Sequence, residues 1–149
     1  MSQSLSLEQS YLALVEFLMM SKQSLIKIGA KYHLSSMQTI TLLLLEEPRA
    51  MGSFRHIFNC DASNVTGIID GLEQKQLVRR YEVNSDRRIK MVRLLARGKQ
   101  IRTTLLHQLT SDDQYLLANL TAAEAKNFIN LVQKITNNTK LVGLKIEDR

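Results

Sequence analysis

The sequence predicts a mainly helical chain with one small β-hairpin. Three observations lead there. One proline and six glycines in 149 residues are too few for the many turns of an all-β fold. Apolar residues recur at helical spacing over most of the length. Two short runs rich in β-branched and long side chains, 77–83 and 89–94, lie side by side in the sequence. The length suits one domain, and 44% apolar residues suffice for a core.

Residues 7–32 read as a long helix, with Leu7, Tyr11, Leu14, Leu18, Leu25, Ile28 and Tyr32 at helical spacing. A second stripe, Leu5, Leu12, Met19 and Ile26, repeats every seven residues. A helix with two apolar stripes is covered on two sides. Its own domain can cover one, and a second subunit is the natural cover for the other. Ser35 or Ser36 can cap a second helix running to about residue 46, with Pro48 marking the exit.

A short segment, 52–58, leads into Asn59-Cys60-Asp61, a tight turn in which Asn59 tolerates a left-handed backbone and Asp61 can cap the next helix. That helix carries Val65, Ile68, Ile69 and Leu72 as a narrow apolar stripe. Short helix, turn and amphipathic helix make a helix-turn-helix pattern. The first-turn face of the second helix is small and polar: Ser63, Asn64, Thr66 and Gly67. The runs 77–83 and 89–94 follow as two strands, joined by the turn composition Asn84-Ser85-Asp86-Arg87-Arg88. A hairpin directly after a helix-turn-helix is a winged helix.

From about residue 96 a long helix is expected to reach about residue 118, with Ile101, Leu105, Leu109, Leu116 and Leu120 as its stripe. Thr121-Ala122-Ala123-Glu124 is a capping box opening a last helix, whose apolar face holds Phe128, Leu131, Val132 and Ile135. Asn137, Asn138 and Thr139 end it. The tail Leu141-Val142-Gly143-Leu144 is apolar enough to pack on something. The expected organisation is a single domain, with a winged lobe over about 34–96 and a helical dimerisation region over about 5–33 and 97–149.

The net charge of +6 is informative once located. Residues 1–74 hold five Lys and Arg against seven Asp and Glu, and residues 103–149 hold five of each. Residues 75–102 hold ten Lys and Arg against two acids, so the basic excess sits on the wing and its flanks. Such clustering is the electrostatic footprint of a polyanion, usually nucleic acid, although a solvated charged face is the plainer alternative.

Other classes find little support. The stretch from Leu12 to Met20 is broken by Glu16 and too short to span a bilayer. Met1–Ser10 is polar and without Lys or Arg, so no secretory leader is expected. The lone Cys60 fits a reducing cytoplasm and reads as a buried, inert thiol. His33, His56 and His107 lack metal-ligand spacing, so no metal or cofactor is expected. No Gly-rich phosphate loop, G-x-S-x-G motif or carboxylate pair with a nucleophile points to an enzyme.

The run from Val65 to Arg80, continuing through Asp86-Arg87-Arg88, Leu94 and Gly98, resembles the MarR family of transcriptional regulators (the multiple-antibiotic-resistance regulator type). The order of elements extends the resemblance over nearly the whole chain. Four positions depart from the family pattern. Gln76 stands where a glycine usually ends the recognition helix, and Leu95 replaces a threonine. Gly67 and Gly71 occupy positions often basic in relatives.

The resemblance implies a homodimer whose terminal helices intertwine, with each recognition helix in a major groove and each wing tip at the neighbouring minor groove. A two-fold protein reads a pseudo-palindromic operator. Ser63, Asn64, Thr66, Gly67, Arg87, Arg88 and Lys90 would then contact double-stranded DNA, and Asp86 would orient a wing arginine. The family also implies a repressor released by a small amphipathic or phenolic effector. The alternative is a winged-helix protein–protein adaptor that has lost specific DNA binding.

Overall fold

A computed structural model describes residues 6–111 and 116–138. Their order is α1 (Leu7–Ala30), α2 (Ser36–Leu44), β1 (Arg49–Ala50), α3 (Met51–Phe58), α4 (Ala62–Gln74), β2 (Val78–Val83), β3 (Asp86–Leu94), α5 (Ala96–Ser111) and α6 (Ala122–Asn138). The fold is mainly helical with a winged hairpin, as expected, and the hairpin is part of a small three-stranded sheet. Leu5, Thr139 and the apolar tail at 141–144 lie outside the described residues.

Three helices begin with reciprocal capping boxes. Ser6 pairs with Gln9 at α1, Ser35 with Gln38 at α2, and Thr121 with Glu124 at α6. Each satisfies two backbone N–H groups that a helix start leaves without partners. Asp61 occupies the corresponding place before α4, yet its side chain makes no capping bond.

Three helices end without the residue best suited to do so. His33, Asn59 and Gln76 follow α1, α3 and α4 with φ of 55°, 47° and 56°, the left-handed region that glycine occupies most readily. After α4, Gln76 N–H donates to Glu73 O at 2.8 Å and Leu77 N–H to Leu72 O at 3.0 Å. This is the paired-bond helix stop usually built on glycine.

Two expectations need correction. The hairpin turn is Asn84-Ser85 alone, because β3 starts at Asp86 and so includes Arg87 and Arg88. The fifth helix is described as far as Ser111, and 116–119 form turns, so it ends short of the expected residue 118. β1 was not expected at all. It pairs antiparallel with β3, Arg49 against Val92 and Ala50 against Met91, giving the order β1-β3-β2.

The main core lies inside the winged lobe. Leu42 and Leu45, Phe54, the α4 stripe Val65, Ile69 and Leu72, and the sheet residues Leu77, Val78 and Val92 are all buried together. Each such side chain contributes about 1.5–3 kcal/mol on leaving water. A smaller cluster, Ile28 with Leu105, joins α1 to α5.

Leu77 is where three elements meet. Its N–H closes α4, its carbonyl accepts from Leu95 N–H at 2.9 Å just before α5, and it leads into β2. Gly98 lies directly on that carbonyl. A Cβ there would overlap Leu77 O and come within 2.9 Å of its carbonyl carbon.

Candidate nucleic-acid interface

The α4 stripe sits in the core, so the opposite side of the helix must face outward. Ser63, Asn64, Thr66 and Gly67 are all exposed. Thr66 Oγ1 donates to Ala62 O at 2.9 Å, which leaves the hydroxyl oxygen able to accept a further hydrogen bond. A Cβ added at Gly67 would meet nothing within 4 Å. Gly71 is different: a Cβ there would collide with Gln38 Nε2 of α2. The two glycines therefore have separate origins, one on the open face and one in an interhelix contact.

The wing stands beside this face. β2 and β3 pair regularly from Val78–Leu94 to Glu82–Lys90, and then the register shifts so that Val83 pairs with Asp86. The irregularity leaves Arg87, Arg88 and Ile89 without opposite partners at the wing tip. Bulged segments twist and re-aim side chains. Asp86 Oδ1 accepts from the Arg88 backbone N–H at 2.9 Å. Asp86 thus holds the arginine's main chain, where the sequence suggested an orienting contact without specifying its atoms. Arg87, Arg88 and Lys90 are exposed.

A groove of about 390 Å³ runs between the N-terminal half of α4 and the wing. Thr66, Arg88 and Lys90 line it, so three of the expected residues face one space. Ser63, Asn64, Gly67 and Arg87 lie outside its lining. Arg55 of α3 is a fourth polar wall residue, one that sequence reasoning missed. It is one of five scattered Lys and Arg in a chain half that holds seven acids, so charge clustering gave no signal there.

The basic block divides by role. Arg80 is held at the base of the wing, its N–H donating to Glu73 Oε1 at 2.7 Å and its Nε to Glu73 Oε2 at 2.9 Å. Its Nη2 reaches Asp70 at 2.6 Å and Glu73 at 2.7 Å. Both acids are on α4, so this planar fork ties the wing to the helix beside it. Arg102 is anchored similarly, with Nε donating to Leu43 O at 3.1 Å and Nη2 lying 3.8 Å from Glu46. Arg93 stacks over the Tyr81 ring, 5.5 Å from its centroid.

Cys60 is half-buried against the lobe core. Among the described residues no group of three or more His, Cys, Asp or Glu could hold a metal ion. Among them, too, no helix is long and apolar enough to cross a membrane.

An exposed polar helix face, a buried opposite face and a cationic hairpin fixed beside it define a winged helix-turn-helix protein. Residues 51–90 match the family model for the MarR family. No curated protein matches the sequence. Among solved structures, a MarR transcriptional regulator from Methanosarcina mazei Go1 is similar at 20% identity, over 94% of this chain and 99% of that one, with a TM-score of 0.74. The transcriptional regulator BldR from Sulfolobus solfataricus is similar at 24% identity, over 89% and 95%, with a TM-score of 0.69. A cysteine-to-serine mutant of MarR from E. coli, complexed with operator DNA, is similar at 22% identity, over 83% and 90%, with a TM-score of 0.61.

Family model and fold agree: residues 51–90 match the MarR family model, and the chain shares the winged helix-turn-helix fold of these solved regulators.

Proposed function

We propose that the protein is a homodimeric, sequence-specific transcriptional regulator that binds a pseudo-palindromic operator as a repressor and is released by a small amphipathic or phenolic ligand. One observation carries the DNA-binding part. The polar face of α4 and the free cations of the wing are exposed side by side, with the opposite side of α4 in the core. In this reading Ser63, Asn64, Thr66 and Gly67 meet base edges in the major groove. Arg87, Arg88 and Lys90 meet phosphates or the narrow minor groove, with Asp86 setting the backbone at Arg88.

Dimerisation is supported by apolar surface on the two terminal helices. Leu7 is 89% exposed and Leu12 63% in the single chain, and Leu131 and Ile135 on α6 are similarly open. Phe17 of α1 meets Phe128 of α6 with ring centroids 5.6 Å apart, so these two surfaces adjoin. Contiguous apolar patches of this kind mark interaction sites.

Release by a ligand follows the family pattern. An apolar cavity of about 140 Å³ between α1 and α5, lined by Phe17, Leu25, Leu109 and Leu116, could respond to an apolar molecule. It is smaller than the roughly 300–1,000 Å³ of ordinary ligand pockets, so occupation would push α1 from α5.

The direct test is binding of the purified protein to DNA from upstream of its own gene, with the same duplex scrambled as competitor. Tight binding to the first and weak, salt-sensitive binding to the second is the expected result. Equal weak binding to both would favour the adaptor reading instead.

A further inference from the structure

We infer that Arg55 of α3, together with Arg88 and Lys90 of the wing, forms a seat for a DNA backbone phosphate in the groove between α4 and the hairpin. The inference rests on the DNA-binding reading and adds to it a residue on an element outside both the recognition helix and the wing.

The groove gathers cations from two distant parts of the chain. Arg55 comes from α3, and Arg88 and Lys90 from β3, while Asp and Glu are absent from the lining. None of the three side chains has an ion pair or hydrogen bond among the described residues. The contrast with Arg80 and Arg102 is informative, because those arginines hold acids or carbonyls and stitch the lobe together. Like charges gathered around one space without counter-charge repel one another, and the repulsion is relieved when an anion enters.

The rest of the lining strengthens that attraction. Met51, Ala62, Val65 and Ile89 are apolar, and low-dielectric walls focus the field of nearby charges. Gly52 stands at the wall with nothing within 4 Å of where its Cβ would be, so the groove stays open there.

Local packing places Arg55 on the outer side of α3, where it lines this groove and also a neighbouring pocket shared with Asp61. The adjacent Phe54 is fully buried, and Phe54 and Phe58, one turn apart, stack at 5.6 Å on the core side of α3. Arg55 is left on the exposed side. Thr66 lines the same groove, so the space is continuous with the polar face of α4. A DNA strand whose bases meet that face would carry its backbone past Arg55. The position suits a phosphate contact that fixes the protein's placement on the duplex without reading sequence.

The test is fluorescence anisotropy with the upstream duplex and an unrelated duplex over a KCl series, using wild type, Arg55→Gln, Arg55→Lys and Lys22→Gln. In the proposed homodimer Arg55→Gln removes two phosphate contacts, one per protomer, which lowers the slope of log affinity against log salt by about 1.8. The advantage of wild type over Arg55→Gln should therefore shrink about twelvefold between 50 and 200 mM salt, equally on both duplexes. Arg55→Lys should restore the slope, and Lys22→Gln, on α1 away from the lobe, should leave it unchanged.

An unchanged slope for Arg55→Gln, with wild type binding DNA normally, overturns this inference alone. Loss of discrimination between the duplexes, or failure of lysine to restore the slope, also overturns it. Inorganic phosphate at fixed ionic strength that raises the melting temperature of wild type but not of Arg55→Gln would put a free anion in the groove and overturn the DNA assignment. Absence of any DNA binding by wild type would remove the functional reading and this inference together.

Discussion

Gln76 offers a measurement of how much the lobe gives up by ending α4 without glycine. Its φ of 56° places a Cβ-bearing side chain in a region that costs about 1–2 kcal/mol for L-residues. The backbone bonds that close the helix, Gln76 N–H to Glu73 O and Leu77 N–H to Leu72 O, do not involve the side chain. That side chain is exposed, so replacing it removes no packing. Glycine relieves the strain but frees the unfolded chain, an offset of about 0.4–1 kcal/mol. Gln76→Gly should therefore be more stable by about 0.5–1 kcal/mol, raising the melting temperature by roughly 1–4 °C for a chain of this size.

Urea unfolding at fixed protein concentration is the assay, since dimerisation would make the midpoint concentration-dependent. The midpoint should rise with the slope unchanged. Gln76→Ala keeps the Cβ and should behave like wild type, and Gln76→Asn should fall between. If Gln76→Gly is no more stable than Gln76→Ala, left-handed strain at this stop is not the operative term.

Three further outcomes follow from other parts of the molecule. Gly98→Ala should destabilise by about 1–3 kcal/mol in the same unfolding assay, because the new methyl group meets the backbone of Leu77 rather than a side chain that can move; wild-type stability would refute the close approach. Leu12→Glu should convert a dimer to monomer or unfold it in sedimentation, by burying an unpaired charge; a wild-type monomer at micromolar concentration would refute the dimer. The Glu124 carboxyl is held below its ordinary value by the Thr121 backbone N–H first and the Thr121 hydroxyl second. Its help in starting α6 should be complete above the ordinary glutamate range and fade as pH falls through the lowered value. NMR titration should show that low midpoint, and Thr121→Ala, which keeps the backbone bond and removes the hydroxyl, should raise it in part; an unmoved midpoint would refute the hydroxyl's share.

The parts of the fold that were legible in the sequence are those written in local patterns. The α4 stripe of Val65, Ile69 and Leu72 marks a buried face, and the Ser35-Ser36 pair and Thr121-x-x-Glu124 mark helix starts. The illegible parts depend on distant partners. β1 is two residues long and exists because Met91 and Val92 come alongside it. The wing bulge is a property of register, so a turn composition over 84–88 could not reveal that only Asn84 and Ser85 form the turn. Charge counting found the basic block but could not separate Arg80, bound to acids on α4, from Arg88, which has no ion pair among the described residues. It passed over Arg55 because the cations of residues 1–74 are scattered and outnumbered by acids. Gly71 looked like a lost DNA contact, whereas it faces Gln38 of a neighbouring helix.

The Arg80 fork bears on how a protein of this design can change over evolutionary time. Asp70, Glu73 and Arg80 form one constraint, and altering any of them singly leaves the others without partners. Ser63, Asn64 and Gly67 are under no such bond, for they touch neither the core cluster nor the fork. Substitutions can therefore accumulate on the outward face of α4 while the wing keeps its distance from it. A lineage can change its target one base step at a time and retain a working scaffold throughout. The same separation makes the α4 face the natural place to graft a new DNA specificity.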